Sequence, residues 1–423
     1  MRVLLAGASG FLGSRVAMAL AADGHTVIHA GRAPAGSPGI PVDFAAVPKA
    51  GWWVPRLAGV DVVINAVGIF REHGMQTFEA LHTSAPLELF RAAATVGVRL
   101  VVQISALGAD AGAETAYHRS KHAADEGLRA LPVPSVVVQP SLVYSLQGRS
   151  AALFNQLAVL PVLPLPARGA PLQPVHADDV VAGLMRLVRE PAVPSRTVAF
   201  VGPQAMSLRR YLASLRKGLG LRSNAIAIPV PQKLCLAFGR AAGWVPGSPI
   251  DQDAVRMLLR GNQADAAPFS LLLGYQPLPV EAFIDPGEAD GARAQAVLGW
   301  MLPLLNVSIA LVWIWTGLVS LGLYPVDASM QLLAQLGLSG APATAALYAG
   351  GGIDLALGPL ALALRGRARV LVWLAMLAVM AAYTALITER IPHWWLHPFG
   401  PISKNLPMLA AIALLCALER PRR

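Results

Sequence analysis

The hydrophobic rhythm of the chain changes near residue 294. Before that point, short apolar runs alternate with stretches in which apolar positions recur three and four apart. The opening "MRVLLAG", "HTVIHAGR", 61–68 "DVVINAVG", 98–109 "VRLVVQISALGA" and 133–144 "VPSVVVQPSLVY" read as strands. They are apolar almost throughout rather than at alternate positions, which predicts strands covered on both faces in a parallel sheet, with helices such as 79–96 between them. From 196 to about 290, "SLRRYLASLRKGLG", "PQKLCLAFGRAAG" and "DQDAVRMLLRG" read as amphipathic helices and "LLGYQPLPVEAFI" as a closing piece, which predicts a small, mainly helical lobe. Beyond 294, 296–323 is free of charge, 343–364 is interrupted only by Asp354, and 370–387 is again uniformly apolar. Each approaches the roughly 20 residues that cross a bilayer, whereas 405–418 is short.

Charge settles how these segments are expected to be arranged. Both 365–369 "RGRAR" and the terminal "RPRR" are basic, and 324–342 has neither lysine nor arginine. Four crossings with both termini in the cytoplasm satisfy the positive-inside rule. The expected architecture is an α/β Rossmann domain with a doubly wound parallel sheet (1–195), a mainly helical lobe (196–293) and an all-α four-helix transmembrane bundle (294–423). Such a protein belongs in a cytoplasmic membrane of bacterial type. The 423 residues are 55% apolar and only 14% charged, with a mean hydropathy of +0.53. The net charge of +10 is carried by arginine, since lysine occurs only at Lys49, Lys121, Lys217, Lys233 and Lys404. No basic tract is interleaved with aromatics, so no nucleic-acid partner is expected, and anionic lipid explains the arginines better. Cys235 and Cys416 lie too far apart in sequence and context to suggest a disulfide or metal framework. The chain is expected to enter its fold directly, because "MRVLLAGASG" has no signal-length apolar core.

Chemistry first shows at the turn after the opening strand. Gly7, Gly10 and Gly13 form G-x-x-G-x-x-G where strand gives way to helix, with Phe11 and Leu12 in the first turn. Glycine there lets a pyrophosphate approach the backbone, and the helix N-terminus stabilises its charge. The second strand ends without the acid that usually meets an NAD ribose, and Arg32 stands near that position, which favours NADP(H) over NAD(H). Asp43 is a candidate acceptor for the adenine amino group. Gly68, Ser105 and Ser141 fall at the carboxyl ends of predicted strands, where ligands of such sheets gather. Tyr117 and Lys121, four apart in "YHRSK", share one face of a predicted helix. In the apolar region, Asp354 is a candidate polar pathway or buried partner, with Lys404 a possible counter-charge. His393 and His397, beside Trp394 and Trp395, read as an interfacial anchor rather than a metal site.

The ordered motifs GASGFLG, NAVG (65–68), ISALGA, YHRSK (117–121), QPSLVY (139–144) and QPVHADDVV (173–181) resemble the short-chain dehydrogenase/reductase superfamily over about residues 1–290. Within it the chain is similar to the group containing the nucleotide-binding accessory subunit of respiratory complex I. The resemblance implies that Tyr117 acts as general acid or base. It implies that Lys121 lowers the phenol's pKa and binds the nicotinamide ribose, and that Ser105 holds the substrate oxygen. Gln139, Ser145 and His82 stand where relatives commonly have arginine, glycine and asparagine. Residues 294–420, chiefly through "HPFGPISKNLPML" (397–409), resemble the DoxX-like membrane family, some of whose members are associated with quinone-linked respiratory enzymes. The function these likenesses imply is hydride transfer, with NADPH, to or from a small lipophilic carbonyl, alcohol or quinone-like compound. Two alternatives stand beside it: a non-catalytic nucleotide-sensing or respiratory assembly protein, and a nucleotide-sugar epimerase or dehydratase.

Overall fold

The computed structural model describes residues 1–32, 39–190, 195–245, 248, 250–398 and 400–419. The basic residues 420–423, used above to argue sidedness, lie outside these. The chain divides into two compact units, Met1–Ala296 and Val297–Arg423.

In the first unit the elements run β1 (Arg2–Ala6), α1 (Phe11–Ala22), β2 (Thr26–Gly31), β3 (Gly39–Pro41), the one-turn α2 (Ala50–Trp53), β4 (Val62–Asn65), α3 (Ala85–Val96), β5 (Leu100–Ile104), α4 (Ala116–Arg129), β6 (Ser135–Pro140) and β7 (Val143–Tyr144). They continue as α5 (Arg149–Ala158), β8 (Val162–Pro166), β9 (Val175–His176), α6 (Ala177–Arg189), β10 (Arg196–Phe200), α7 (Leu208–Gly218), β11 (Ile226–Val230), α8 (Gln232–Gly243), α9 (Gln252–Arg260) and α10 (Ala267–Leu273). Seven strands form one sheet in the order β10-β6-β5-β4-β1-β2-β3, and every pairing is parallel. The chain runs outward from β1 through β2 to β3, then returns to β4 on the other side of β1. That reversal opens a crevice at the carboxyl ends of β1 and β4.

Unbroken apolar runs made these strands legible, and burial on both faces is the reason. Val3, Leu5, Ile64, Val102 and Val138 pack on one face under Val16 and Leu20 of α1 and Leu184 and Leu187 of α6. Leu4, Val63, Val101 and Val137 pack on the other under Trp53, Leu89, Phe90 and Leu128. The helix expected over 79–96 is two pieces: a π-helical turn, Glu79–Ser84, leads into α3.

The lobe differs from its expected form. β10, expected to open it, pairs with β6 as the sheet's edge strand, and α10 packs on α6 and β10, its Phe269 stacked on Phe200 of β10 in the sheet's own core. "RTVAF" is too short and mixed to stand out in sequence, and only its partner β6 selects the strand. The remaining lobe is built on Tyr144, Phe154, Tyr211, Leu215, Phe283 and Ile284. It contains two small parallel ribbons, β8 with β11 and β7 with β9, besides its helices.

The second unit is entered along α11 (Ala289–Leu318), followed by α12 (Val326–Gln335), α13 (Gly340–Ala363), α14 (Arg367–Arg390) and α15 (Asn405–Leu418). Among the described residues three helical stretches are long and apolar enough to cross a membrane: Ala289–Leu323, Gly340–Ala363 and Arg367–Arg390. The expected fourth crossing is α15, a 14-residue apolar helix below that length. The short α12 was not anticipated. α11 meets α13 through small residues: a side chain on Gly317 would begin 2.7 Å from Leu355 N, and one on Gly358 2.8 Å from Ala310 O. Close backbone approach of this kind is the usual basis of helix association in lipid. Asp354 lies buried on α13, and its Oδ1 has no hydrogen-bond partner among the described residues. Lys404 makes no ion pair there.

Candidate functional site

The crevice between β1 and β4 is lined first by backbone. Gly7 adopts φ +80°, which lets β1 turn sharply into α1. Gly13 lies so close to that turn that a Cβ would begin 2.1 Å from Gly7 O. Gly10, the N-cap, donates its N–H to Gly7 O and offers no side-chain cap, so the amides of Phe11, Leu12 and Gly13 lack a local partner. A helix N-terminus of that kind is a ready anion site. Arg32 is exposed at the carboxyl end of β2 and forms no ion pair among the described residues. Asp43 Oδ1 accepts the Ala45 amide at 3.0 Å, capping a short turn, and its second carboxylate oxygen makes no hydrogen bond among the described residues. Asn65 and Gln103 meet at 2.7 Å at the ends of β4 and β5, and Asn65 Oδ1 accepts from Val67, which shapes the strand end just before Gly68.

α4 presents the side chains. Thr115 caps it by accepting the His118 amide, and its inner face is unusually polar for a sheet-packed helix, with Ser120, Lys121 and Asp125 all buried. Lys121 Nζ donates to Val67 O at 3.2 Å and Ile104 O at 3.1 Å, joining the carboxyl ends of β4 and β5. It lies 3.3 Å from where a side chain on Gly68 would begin. Tyr117, one turn earlier, is half-buried among rings: Phe70 stacks on it at 5.2 Å, His82 meets it edge-on at 5.4 Å, and Phe78 and His118 complete the surround. Its hydroxyl makes no hydrogen bond among the described residues.

Ser105 is buried, and its Oγ donates to Asp125 Oδ2 at 2.5 Å; it makes no hydrogen bond to Tyr117. Asp125 is fully buried, its Oδ1 without a hydrogen bond in normal geometry among the described residues, and burial raises its pKa to about 6 although Ser105, Lys121, Arg129 and Gln139 all act to lower it. Burial lowers Lys121 to about 8, with Asp125 countering part of the effect. The phenol moves opposite to the expected lowering by Lys121. Burial and then the Asp125 charge push Tyr117 well above its usual value, because the Lys121 ammonium is turned onto two carbonyls. A phenol shifted in this way keeps its proton near neutral pH.

His82 lies in the π-turn and is completely buried. Ile69 N–H donates to its Nε2 at 3.0 Å, and Ser120 Oγ, which donates to Tyr117 O, lies 2.9 Å from its Nδ1. That network requires a neutral ring protonated on Nδ1. Burial and Lys121 together hold its pKa down to about 3. His82 therefore ties the loop after Gly68 to the helix that carries Tyr117.

Other contacts of this region could not be read from the sequence. Ser145 accepts from Arg15 of α1 at 2.7 Å, and Arg15 also pairs with Asp178 at 3.3 Å, joining the cradle helix to the β7 and α6 ends. Gln139 donates to Ala109 O at 3.2 Å. Arg260 of α9 binds Gly108 O and both oxygens of Asp110, and Arg71 meets Asp251 at the start of α9. Ser141, expected near a ligand, donates to Gln173 O instead. Only Asp125 carried a usable signal, lying four residues beyond Lys121 on the same helix face. Among the described residues no cluster of His, Cys, Asp or Glu is arranged to hold a metal ion.

Comparison with known proteins gives two family matches. Residues 3–201 match the NAD dependent epimerase/dehydratase family, and residues 310–413 match the DoxX-like family. The mouse mitochondrial NADH dehydrogenase [ubiquinone] 1 alpha subcomplex subunit 9 is 26% identical over 230 residues, 52% of this chain and 59% of that protein. The chain thus spans about three fifths of that relative's length. A ceramide reductase of Caulobacter vibrioides is 25% identical over 238 residues, 54% of this chain and 74% of that one. Among solved structures, a nucleoside-diphosphate-sugar epimerase from Staphylococcus aureus aligns at 16% identity and TM-score 0.54, covering 67% of this chain and 99% of that one. The NADPH-dependent quinone oxidoreductase QOR2 of Escherichia coli aligns at 18% identity and TM-score 0.52, covering 66% and 97%. These two likenesses establish the fold of the first unit.

Proposed function

We propose, from the match of residues 3–201 to the NAD dependent epimerase/dehydratase family and of residues 310–413 to the DoxX-like family, a membrane-anchored, NADPH-dependent oxidoreductase acting on a small lipophilic carbonyl, alcohol or quinone-like compound. The observation that carries this reading is the placement of Tyr117, with its hydroxyl uncommitted, one turn from Lys121 at the carboxyl ends of β4 and β5. The nicotinamide, when bound, supplies or accepts the hydride. The remaining tasks fall to the chain. The α1 N-terminus holds the pyrophosphate, Arg32 the 2′-phosphate, and Asp43 the adenine amino group. Lys121 has three donor protons, two of them directed at carbonyls, and the third is available to a ribose hydroxyl beside Gly68. In reduction the substrate carbon gains a hydride and its oxygen takes the Tyr117 proton, which solvent then replaces. Ser105 acts through Asp125, holding α4 in register. Phe70, 77% exposed and stacked on Tyr117, gives the approach to that residue an apolar edge, which supports a lipophilic substrate, as does the ceramide reductase relative.

The test is NADPH oxidation by the full-length protein in bilayers made from its host's lipid extract, with wild type and Tyr117→Phe compared at matched nucleotide occupancy. Tyrosine-dependent oxidation supports the reading; equal rates in both proteins overturn it. A second reading, a nucleotide-dependent sensing or respiratory assembly role, is favoured by the engagement of Ser105 with Asp125 and by the complex I relative. Biological activity retained in Tyr117→Phe with nucleotide still bound supports that one. A four-span topology in a bacterial cytoplasmic membrane, with both termini cytoplasmic, belongs to the same proposal.

A further inference from the structure

Between Glu190 and Asp251 the sequence contains eight lysines and arginines and no acid, which accounts for most of the net charge of +10. Six of these cations, Arg209, Arg210, Lys217, Arg222, Lys233 and Arg240, are exposed and form no ion pair among the described residues. Among the described residues the same segment carries six exposed large apolar side chains, Ile226, Ile228, Leu234, Phe238, Trp244 and Val245. Of α8 only Gly239 is buried, seated against Asp251 and Val255. Leu234 and Phe238 lie one turn apart on one face of α8 and are 60% and 62% exposed, and Trp244 and Val245, just past its C-terminal end, are 81% and 58% exposed. Lys233 and Arg240, seven apart, flank that stripe. The strand leading into α8 repeats the pattern. Leu163 and Leu165 of β8 point into the lobe core, while Val162 and Pro164, in register with Ile226 and Ile228 of β11, point outward. An outward strand face is ordinarily polar, and this one is apolar.

We propose that the α8 stripe and the outer face of the β8–β11 ribbon form a membrane-apposed surface that inserts into the headgroup region of an anionic bilayer. The reading stands independently of the redox chemistry. A cationic helix with Leu and Phe on its apolar face and Trp at its C-terminal end has the composition of an in-plane interfacial helix, which sinks about 5–10 Å into the headgroup boundary. Tryptophan favours that depth. A bilayer is within reach, because α11 begins with Ala292 buried in this lobe's own core and runs on as an apolar segment of spanning length. A second copy of the same face is a poor occupant, since it would bring one acid-free cationic segment against another.

The test uses the full chain in nanodiscs, with an environment-sensitive fluorophore on Phe238→Cys in a Cys235→Ser/Cys416→Ser background. A label on Glu126→Cys, on the dinucleotide-binding domain, is the control. In discs of phosphatidylcholine with phosphatidylglycerol, the label at 238 is expected to be quenched by lipid-borne nitroxide and shielded from iodide, and the control the reverse. Lys233→Glu and Arg240→Glu should each lower the lipid-docked fraction by roughly fivefold. Open access to iodide in anionic discs overturns the proposal. Shielding from both quenchers also overturns it, because the face is then covered by protein. Unlabelled wild type gives a second measurement that needs no variant. Amide exchange across 232–245 should be slower in anionic than in pure phosphatidylcholine discs, and equal rates count against insertion.

Discussion

The cradle at α1 and the relay on α4 face the same crevice and are made of different materials. The cradle is backbone: a left-handed glycine, a close glycine contact and three amides without local partners. The relay is side chains, with the hydrogen-bonding groups of Lys121, Ser105, His82 and Ser120 engaged and the Tyr117 hydroxyl left over. A site built from backbone is changed only by adding atoms, whereas one built from side chains is changed by removing them. Binding and turnover should therefore separate cleanly by mutation.

The largest separation is expected from Tyr117→Phe. Loss of a positioned general acid should lower turnover by about 10³-fold while nucleotide affinity, measured by calorimetry, stays within about twofold. Gly13→Ala should do the opposite and weaken nucleotide binding up to about 100-fold, because a Cβ forced against Gly7 O displaces the turn. A residual turnover at saturating nucleotide would confirm that the relay survives; unchanged affinity would break the comparison. Next comes His82, which joins the two regions through Ile69 and Ser120. Its folded pKa of about 3 lies below the ordinary 6.5, so the unfolded chain takes up a proton that the folded one refuses. Stability should fall as pH drops below 6.5 and level off below about 3, with a loss of about 2 kcal/mol by pH 5. Thermal unfolding across that range should show the loss in wild type and lack it in His82→Asn. The smallest effect is expected from Arg32→Ser, which should reduce the preference for NADPH over NADH by roughly tenfold, read as a ratio of dissociation constants.

The cradle was legible because its requirements are local. Gly7, Gly10 and Gly13 between a strand and a helix already state what the backbone must do. The sheet strands were legible because burial on both faces makes them apolar throughout. Tyr117 and Lys121 were legible as a pair, but the phenol's electrostatics were not. They depend on where Lys121 Nζ points and on Asp125 beneath it, and both follow from packing distant in sequence. β10 escaped because five mixed residues become a strand only beside β6. The membrane helices were read correctly from length and polarity at three places, while α15 and α12 fall below the length at which composition alone separates a span from a packed helix.

The π-turn at Glu79–Ser84 carries a consequence for how this chain can vary in length. Such a turn holds one residue more than the α-helix it interrupts. Deleting a single residue there is expected to turn it into ordinary α-helix with the flanking segments still in phase, so the change is confined to the turn itself. His82, inside the turn, would lose its place between Ile69 and Ser120, and with it the hold on the loop that sets Phe70 over Tyr117. An insertion or deletion that costs the fold little would re-index the mouth of the site, so variation in substrate range among chains of this architecture should follow the length of this turn more closely than the identity of its residues.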